Sequence, residues 1–150
     1  MDFQSVDEVL KYAIRKEEDA YRLYMDLAGR MEARAMKEAF ESFAHEEQMH
    51  KAKLQKVRDG QRLISAEHKI LDLKLGDYIA DVEVHESMSY QQALVVAMKE
   101  EKAAYMLYIK LAEATDEGDV KGLFLSLANE EAKHKLRFET EYDDLVFKEN

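Results

Sequence analysis

The sequence of 150 residues contains no cysteine, no proline and no tryptophan, and it has only five glycines. Without cysteine the chain has no disulfide, no iron–sulfur cluster, no zinc ribbon and no thiol nucleophile. The lack of proline and the scarcity of glycine argue against an all-β domain with many tight turns, and they favour long helices. No apolar run approaches the roughly 18–20 residues of a membrane span.

Acidic residues outnumber basic ones, and this limits the class of partner. The 32 Asp and Glu against 22 Lys and Arg give a formal net charge of −10. Such a balance argues against nucleic acid or an anionic membrane as the main partner. No basic region followed by an apolar run opens the chain, so we expect a cytoplasmic protein. Its length predicts one domain, residues 1–150.

The chain repeats itself with an offset of 84 residues, and the alignment runs over 50 positions without a gap. Of these positions 18 are identical in the two copies. We therefore predict two copies of one unit, at 5–57 and 89–141, joined by a crossover at 61–88. The crossover is too apolar for a floppy linker, and a short ordered helix is predicted near 74–82.

Each unit is predicted to form two amphipathic helices, because apolar and small residues recur every three or four positions. Ser5 and Ser89 precede these patterns, each with Glu or Gln three residues later, which is the capping-box signature of a helix start. Turns are predicted near 29–35 and 115–119, and Gly60 is predicted to end the second helix. The fold prediction is all-α: an antiparallel four-helix bundle with a long crossover between helices 2 and 3.

Six ionisable residues occupy positions on the predicted buried faces, where a bundle ordinarily places Leu or Ile. An isolated ionised carboxylate is costly to bury. Four carboxylates with no Lys or Arg in the same stripes require a cation, and two divalent ions would balance their four charges. The six candidate metal ligands are Glu17, Glu47, His50, Glu101, Glu131 and His134.

The spacing of these residues supports a metal site. Glu47 and His50 are three positions apart, like Glu131 and His134, so each pair shares one helix face. One Glu on each of two helices, with Glu-x-x-His on each of the other two, is the ligand set of carboxylate-bridged di-metal bundles. Oxygen and imidazole ligands suit iron, manganese or zinc.

Two tyrosines are candidate catalytic residues in a supporting role. Tyr24 and Tyr108 lie seven residues after Glu17 and Glu101, two turns along the same stripes. A buried phenol needs a hydrogen-bond acceptor, and a ligand carboxylate is the nearest one. The alternative is a core tyrosine bonded to backbone or water. Glu17 and Glu101 would themselves be surface carboxylates if the helical phase were shifted.

Residues beside the stripes are interpreted as peripheral. Glu46 and Glu130 occur in both copies and lie about 100° off the stripe, which fits either a surface residue or a group that supports the ligands. Lys16 aligns with Glu100, and opposite charges at equivalent positions indicate a solvated face.

Four segments carry a family resemblance: AIRKEEDAYRLY, FAHEEQMHKAKL, AMKEEKAAYMLY and LANEEAKHKLRF. They resemble the rubrerythrin branch of the ferritin-like di-iron superfamily, over about 5–57 and 89–141. The resemblance implies a ferritin-like fold and two iron ions at the six positions named above, without haem or an iron–sulfur cluster. It also implies reduction of peroxide or dioxygen by a homodimer, in some members with helix pairs exchanged between chains.

Two departures from the family pattern bear on function. Rubrerythrins carry a rubredoxin domain with a four-cysteine iron site, whereas this chain has no cysteine, so we expect a separate electron-donor protein. They also have an extra Glu three residues from the main ligand of the third helix, where this chain has Met98 and Ala104. Two alternatives therefore stay open: a ferroxidase or iron storage or delivery protein resembling bacterioferritin, and a bundle in which the metal is only structural.

Overall fold

The computed structural model describes residues 6–60, 84, 88–115 and 118–149. Nearly all of these residues are helical, in four helices: α1 (Val6–Arg30), α2 (Arg34–Gly60), α3 (Tyr90–Glu113) and α4 (Gly118–Glu149). The predicted helical class and both predicted turns are confirmed. The cap predicted at Ser5 and the short helix predicted near 74–82 lie outside the described residues. Within the described part, no helix has the length and apolar character needed to cross a membrane.

Consecutive helices form two antiparallel hairpins, one for each repeat. In the first hairpin, Arg58 near the end of α2 donates from Nε to Oδ1 of Asp7 near the start of α1, over 2.6 Å. In the second, the Tyr90 hydroxyl at the start of α3 donates to Oε2 of Glu141 late in α4, over 3.2 Å. A short connection makes the two helices that it joins antiparallel neighbours.

The two hairpins pack against each other with α1 facing α3 and α2 facing α4. Tyr24 of α1 hydrogen-bonds Glu101 of α3, and Glu17 of α1 hydrogen-bonds Tyr108 of α3. The later residue of α1 thus pairs with the earlier residue of α3, so the two helices are antiparallel.

The end of α2 and the start of α3 lie at opposite ends of the bundle. Tyr90 at the start of α3 lies against Phe40 near the start of α2, with ring centroids 5.9 Å apart. Because α2 ends at the other end of the bundle, the connection between α2 and α3 joins the two ends. This connectivity is the one predicted for a bundle with a long crossover.

The apolar core consists of two clusters, one toward each end of the bundle. The first includes Leu10, Leu54 and Phe124, from the end where α1 begins. The second includes Leu27 and Phe40, from the end where α1 finishes. Each such side chain contributes about 1.5–3 kcal/mol when it is fully buried. Between the two clusters lies a layer of buried ionisable residues.

The start of α3 shows the predicted capping box. The backbone N–H of Gln92 donates to Ser89 Oγ over 3.1 Å, and the backbone N–H of Ser89 donates to Gln92 Oε1 over 3.0 Å. Two helix N–H groups that lack partners within the helix are thereby satisfied.

We predict that Ser89→Ala lowers the free energy of unfolding by about 1 kcal/mol, because the hydroxyl that caps α3 is lost. Thermal unfolding followed by circular dichroism should show a melting temperature lower by about 2–4 °C. Ser126→Ala, on an exposed position of α4, should leave the melting temperature unchanged. An equal loss in both variants would contradict the capping role.

Candidate metal centre

The six predicted ligand residues converge in the layer between the two apolar clusters. Each has an exposure between 0% and 3%. The alternative in which Glu17 and Glu101 are surface carboxylates is therefore wrong. The side chains brought together are those of Glu17, Glu47, His50, Glu101, Glu131 and His134.

The ligand atoms form two groups, and within each group all of them lie within 4.8 Å of one another. The groups are Glu17, Glu47, His50 and Glu131 on one side, and Glu47, Glu101, Glu131 and His134 on the other. Glu47 and Glu131 occur in both groups, so these two carboxylates are placed to bridge a pair of ions. The sequence alone left the bridging carboxylates open.

Both histidines present Nδ1 to the carboxylates. His50 Nδ1 lies 2.6 Å from Glu131 Oε1. His134 Nδ1 lies 3.3 Å from Glu47 Oε1 and 3.5 Å from Glu101 Oε1. The two imidazole rings are almost parallel, at 12°, with centroids 6.0 Å apart. The two halves of the site therefore have similar ligand geometry, as the repeat requires.

Hydrogen bonds do not satisfy this cluster. Among the described side chains, every buried nitrogen or oxygen atom without a hydrogen-bond partner belongs to one of the six residues or to Glu46. These atoms are Glu17 Oε2, Glu46 Oε2, Glu47 Oε1, His50 Nδ1, Glu101 Oε2, Glu131 Oε1, and both ring nitrogens of His134. No Lys or Arg is buried in the described part of the chain. Since buried polar groups are normally paired, coordination of cations is the natural way to satisfy these atoms.

Burial and mutual repulsion set the protonation of the carboxyls. Burial, with the charges of Glu17 and Glu101, raises the pKa of Glu47 well above its ordinary value. Burial, with the charges of Glu101 and Glu47, does the same to the pKa of Glu131. Burial also acts to raise the pKa of Glu17, but interactions with the neighbouring Glu47 and His50 hold it below its ordinary value. Metal binding requires the ionised carboxylates, so an ion that binds must work against the raised pKa of Glu47 and Glu131.

Each candidate tyrosine bonds to a carboxylate of the opposite hairpin. The Tyr24 hydroxyl donates to Glu101 Oε1, and the Tyr108 hydroxyl donates to Glu17 Oε1. Burial and the adjacent carboxylates raise the pKa of both phenols well above the ordinary value, so both remain donors. The second oxygen of each carboxylate has no partner and stays available to an ion. The structure thus places both hydroxyls on carboxylates of the predicted ligand set.

Glu46 supports His134 from outside the cluster. Its Oε2 lies 2.5 Å from His134 Nε2, the ring nitrogen directed away from the carboxylates. Burial acts to lower the pKa of His134, but interactions with Glu101 and Glu46 raise it. A carboxylate beside the outer nitrogen is placed to orient a ligand imidazole, although these two atoms are not aligned as a hydrogen bond. The sequence left this role open, and the presence of Glu in both repeats was its only signal.

The expectation that Glu100 lies on a solvated face is wrong. Glu100 is partly buried and lines a cavity of about 20 Å³ between α1 and α3, together with Glu17 and Glu47. Burial raises the pKa of Glu100 to about 7, against the opposing charge of Lys16. Comparison of the two repeats could not identify Glu100 as a site residue, because Lys16 occupies the equivalent position in the first unit.

Comparison with known protein families agrees with this geometry. The family model described as Rubrerythrin matches residues 8–142. The chain belongs to the rubrerythrin family. No curated protein sequence gives a significant match.

Two solved structures share the fold of this rubrerythrin family member. One, from Thermotoga maritima, is described as a ferritin-like diiron-carboxylate protein. It is 20% identical with a TM-score of 0.74, over 95% of this chain and 97% of the other. The second, a hypothetical protein from Pyrococcus furiosus, is 28% identical with a TM-score of 0.74, over 95% of this chain and 91% of the other. The predicted ferritin-like fold is confirmed.

We predict that Glu47→Gln stabilises the metal-free protein at neutral and basic pH. Because the pKa of Glu47 is raised in the folded state, the folded protein holds this proton more tightly than the unfolded chain does. The resulting stability is present at low pH and is lost as the pH rises through the folded-state pKa. An uncharged amide avoids that loss, so the variant should gain about 1–3 kcal/mol at pH 8 and almost nothing near pH 4.

Urea unfolding of the metal-free proteins across this pH range measures the effect. Glu41→Gln removes an exposed carboxylate from the same helix and should track the wild type at every pH. A Glu47→Gln profile that also tracks the wild type would show that the cluster does not strain the metal-free fold.

We further predict that Tyr24→Phe and Tyr108→Phe each weaken the binding of divalent metal by about 10- to 100-fold, because a ligand carboxylate loses the bond that orients it. Calorimetric titration with Mn²⁺ gives the affinities. Tyr105→Phe, at a tyrosine that is 38% exposed, is the matched control. If both variants at the buried tyrosines bind Mn²⁺ with wild-type affinity, the two hydroxyls do not orient the ligands and the tyrosines only pack the core.

Proposed function

We propose that this chain is a di-iron oxidoreductase that reduces hydrogen peroxide or dioxygen with electrons from a separate donor protein. The observation that carries the proposal is the buried cluster of four Glu and two His. Among the described residues no buried Lys or Arg accompanies it, and several of its ligand atoms have no hydrogen-bond partner. Membership of the rubrerythrin family supports the choice of redox chemistry.

The residues present fit a pair of divalent ions. Two such ions would balance four carboxylates, and the oxygen and imidazole donors suit iron, with manganese or zinc as other occupants. One ion would be held by His50 and Glu17, and the second by their repeat equivalents, His134 and Glu101. Glu47 and Glu131, which belong to both groups, would hold both ions.

Two ferrous ions would supply the two electrons that hydrogen peroxide takes up, with two protons, when it becomes two molecules of water. The protein positions the ligands and shields the site. The hydroxyls of Tyr24 and Tyr108 hold one oxygen each of Glu101 and Glu17. The apolar clusters on both sides of the layer keep bulk water away from the reacting centre.

A separate electron donor is part of the proposal, because the chain has no cysteine with which to build a rubredoxin-type iron site. The homodimer implied by the family resemblance stays a prediction. All six candidate ligands come together within one chain, so the proposed centre does not require exchange of helix pairs.

A ferroxidase with a role in iron storage or delivery is the second candidate. It is favoured by the absence of the extra glutamate that rubrerythrins have three residues from this helix's main ligand, where this chain has Met98 and Ala104. Ala104 lines the cavity beside Glu17 and Glu47, so neither position three residues from Glu101 on α3 carries a carboxylate. The remaining ligand set is symmetric, as in the ferroxidase centres that the sequence also resembles.

The test is to load the anaerobic metal-free protein with Fe²⁺, count the iron per chain, and add one equivalent of peroxide while recording near-ultraviolet absorption. We expect two iron ions per chain and oxidation faster than in Glu47→Gln. With a chemical reductant supplied in excess, peroxide consumption should continue over many turnovers.

Each other outcome has a definite meaning. Binding of two ions without reaction would leave only a structural metal site. Many iron ions per chain, in an assembly the size of a shell, would favour storage. The absence of iron binding would overturn the metal centre itself.

A further inference from the structure

The space between α1 and α3 leads to the ligand cluster. The cavity there has a volume of about 20 Å³, enough for the centre of about one water-sized molecule at a time. Its inner wall contains the buried carboxylates Glu17 and Glu47, and its outer wall contains the partly exposed Lys16 and Glu100. A larger cavity on the outer side of α3 and α4 touches none of the six ligand residues.

The inner wall of the cavity contains carboxylate oxygens that lack hydrogen-bond partners. Glu17 Oε2 and Glu47 Oε1 are buried and have no hydrogen-bond partner. The residues themselves are 3% and 1% exposed. Oxygen atoms in that condition attract a species that accepts electron pairs, which a divalent cation does and an anion does not.

Charge and size favour the same class of ligand. Three carboxyl groups and one ammonium line the cavity. Each carboxyl that ionises makes the potential there more favourable to a cation, and an arriving cation itself promotes that ionisation. Because the space holds about one water molecule, an ion that enters must give up most of its hydration shell. A carboxylate along the path replaces the lost water oxygens with a protein oxygen.

We propose that Glu100 receives small divalent cations at the α1–α3 cavity and delivers them to Glu17 and Glu47. This inference rests on the proposed metal function and extends it to the route of loading. Glu100 is a positioning residue of that route and not one of the resident ligands. The alanines Ala103 and Ala104, which also line the cavity, keep the path open.

Rapid mixing of the metal-free full chain with Co²⁺, followed by the visible absorption of bound cobalt, tests the route. In Glu100→Gln the uptake rate should fall on the order of tenfold, while the final count of two ions per chain is unchanged. Release of bound cobalt to a chelator should slow by a similar factor, because a route affects both directions equally. Ala103→Leu should slow both steps by narrowing the cavity.

Glu113→Gln is the matched control, because it removes one negative charge from an exposed position of the same helix. Its uptake rate should stay within about twofold of the wild type. Equal slowing in both Gln variants would assign the effect to overall charge and overturn the inference. A lower final count in Glu100→Gln would make Glu100 a resident ligand and would also overturn it.

The failure of this inference can be distinguished from failure of the proposed function. If the wild type binds two cobalt ions and Glu100→Gln takes them up at the same rate, only the route is wrong. If the wild type binds none, the metal centre and the route both fail.

Discussion

Four carboxylates are buried in the middle of a helical bundle, and the described part of the chain buries no Lys or Arg to balance them. This is the constraint on which the rest of the structure depends. Leu or Ile at Glu17, Glu47, Glu101 and Glu131 would give a conventional core. The chain instead keeps groups whose charges repel one another, and burial together with this repulsion raises the pKa of Glu47 and Glu131. Such a layer is compatible with stable folding only if cations or protons neutralise it.

Stability of the metal-free bundle must therefore come from elsewhere. The apolar clusters on either side are formed by residues from all four helices, and they hold the layer in place from both ends. Phe43 and Phe138 pack at 4.4 Å between ring centroids, directly beside the imidazole of His134. The fold thus supplies a rigid frame, and the site uses the stability that the frame provides.

Much of the fold and most of the candidate site could be predicted from the sequence. The helical period placed Glu17 and Glu101 on buried faces, and the offset of 84 residues joined them to two Glu-x-x-His pairs. Periodicity determines the phase of a helix, but it does not determine which helix faces it. For that reason the acceptors of Tyr24 and Tyr108 could not be assigned to particular carboxylates.

The two repeats also conceal features in which they differ. Comparison of the copies treats Lys16 and Glu100 as variable surface positions, although the packing of α1 against α3 encloses Glu100. Conversely, the glutamate at Glu46 occurs in both copies, but its role depends on a contact with His134 of another helix. Contacts between helices depend on side-chain packing in three dimensions, which a one-dimensional pattern does not contain.

The division of the core by a charged layer has a consequence for cooperativity. Each apolar cluster is built by the four helices at one end of the bundle, and in the described part of the chain the layer of ionisable residues lies between the two clusters. While that layer is held by protons and repelling carboxylates, one end can open without forcing the other to follow. Ions that tie all four helices together at the midpoint would couple the two ends, so that the molecule opens and closes as a single unit.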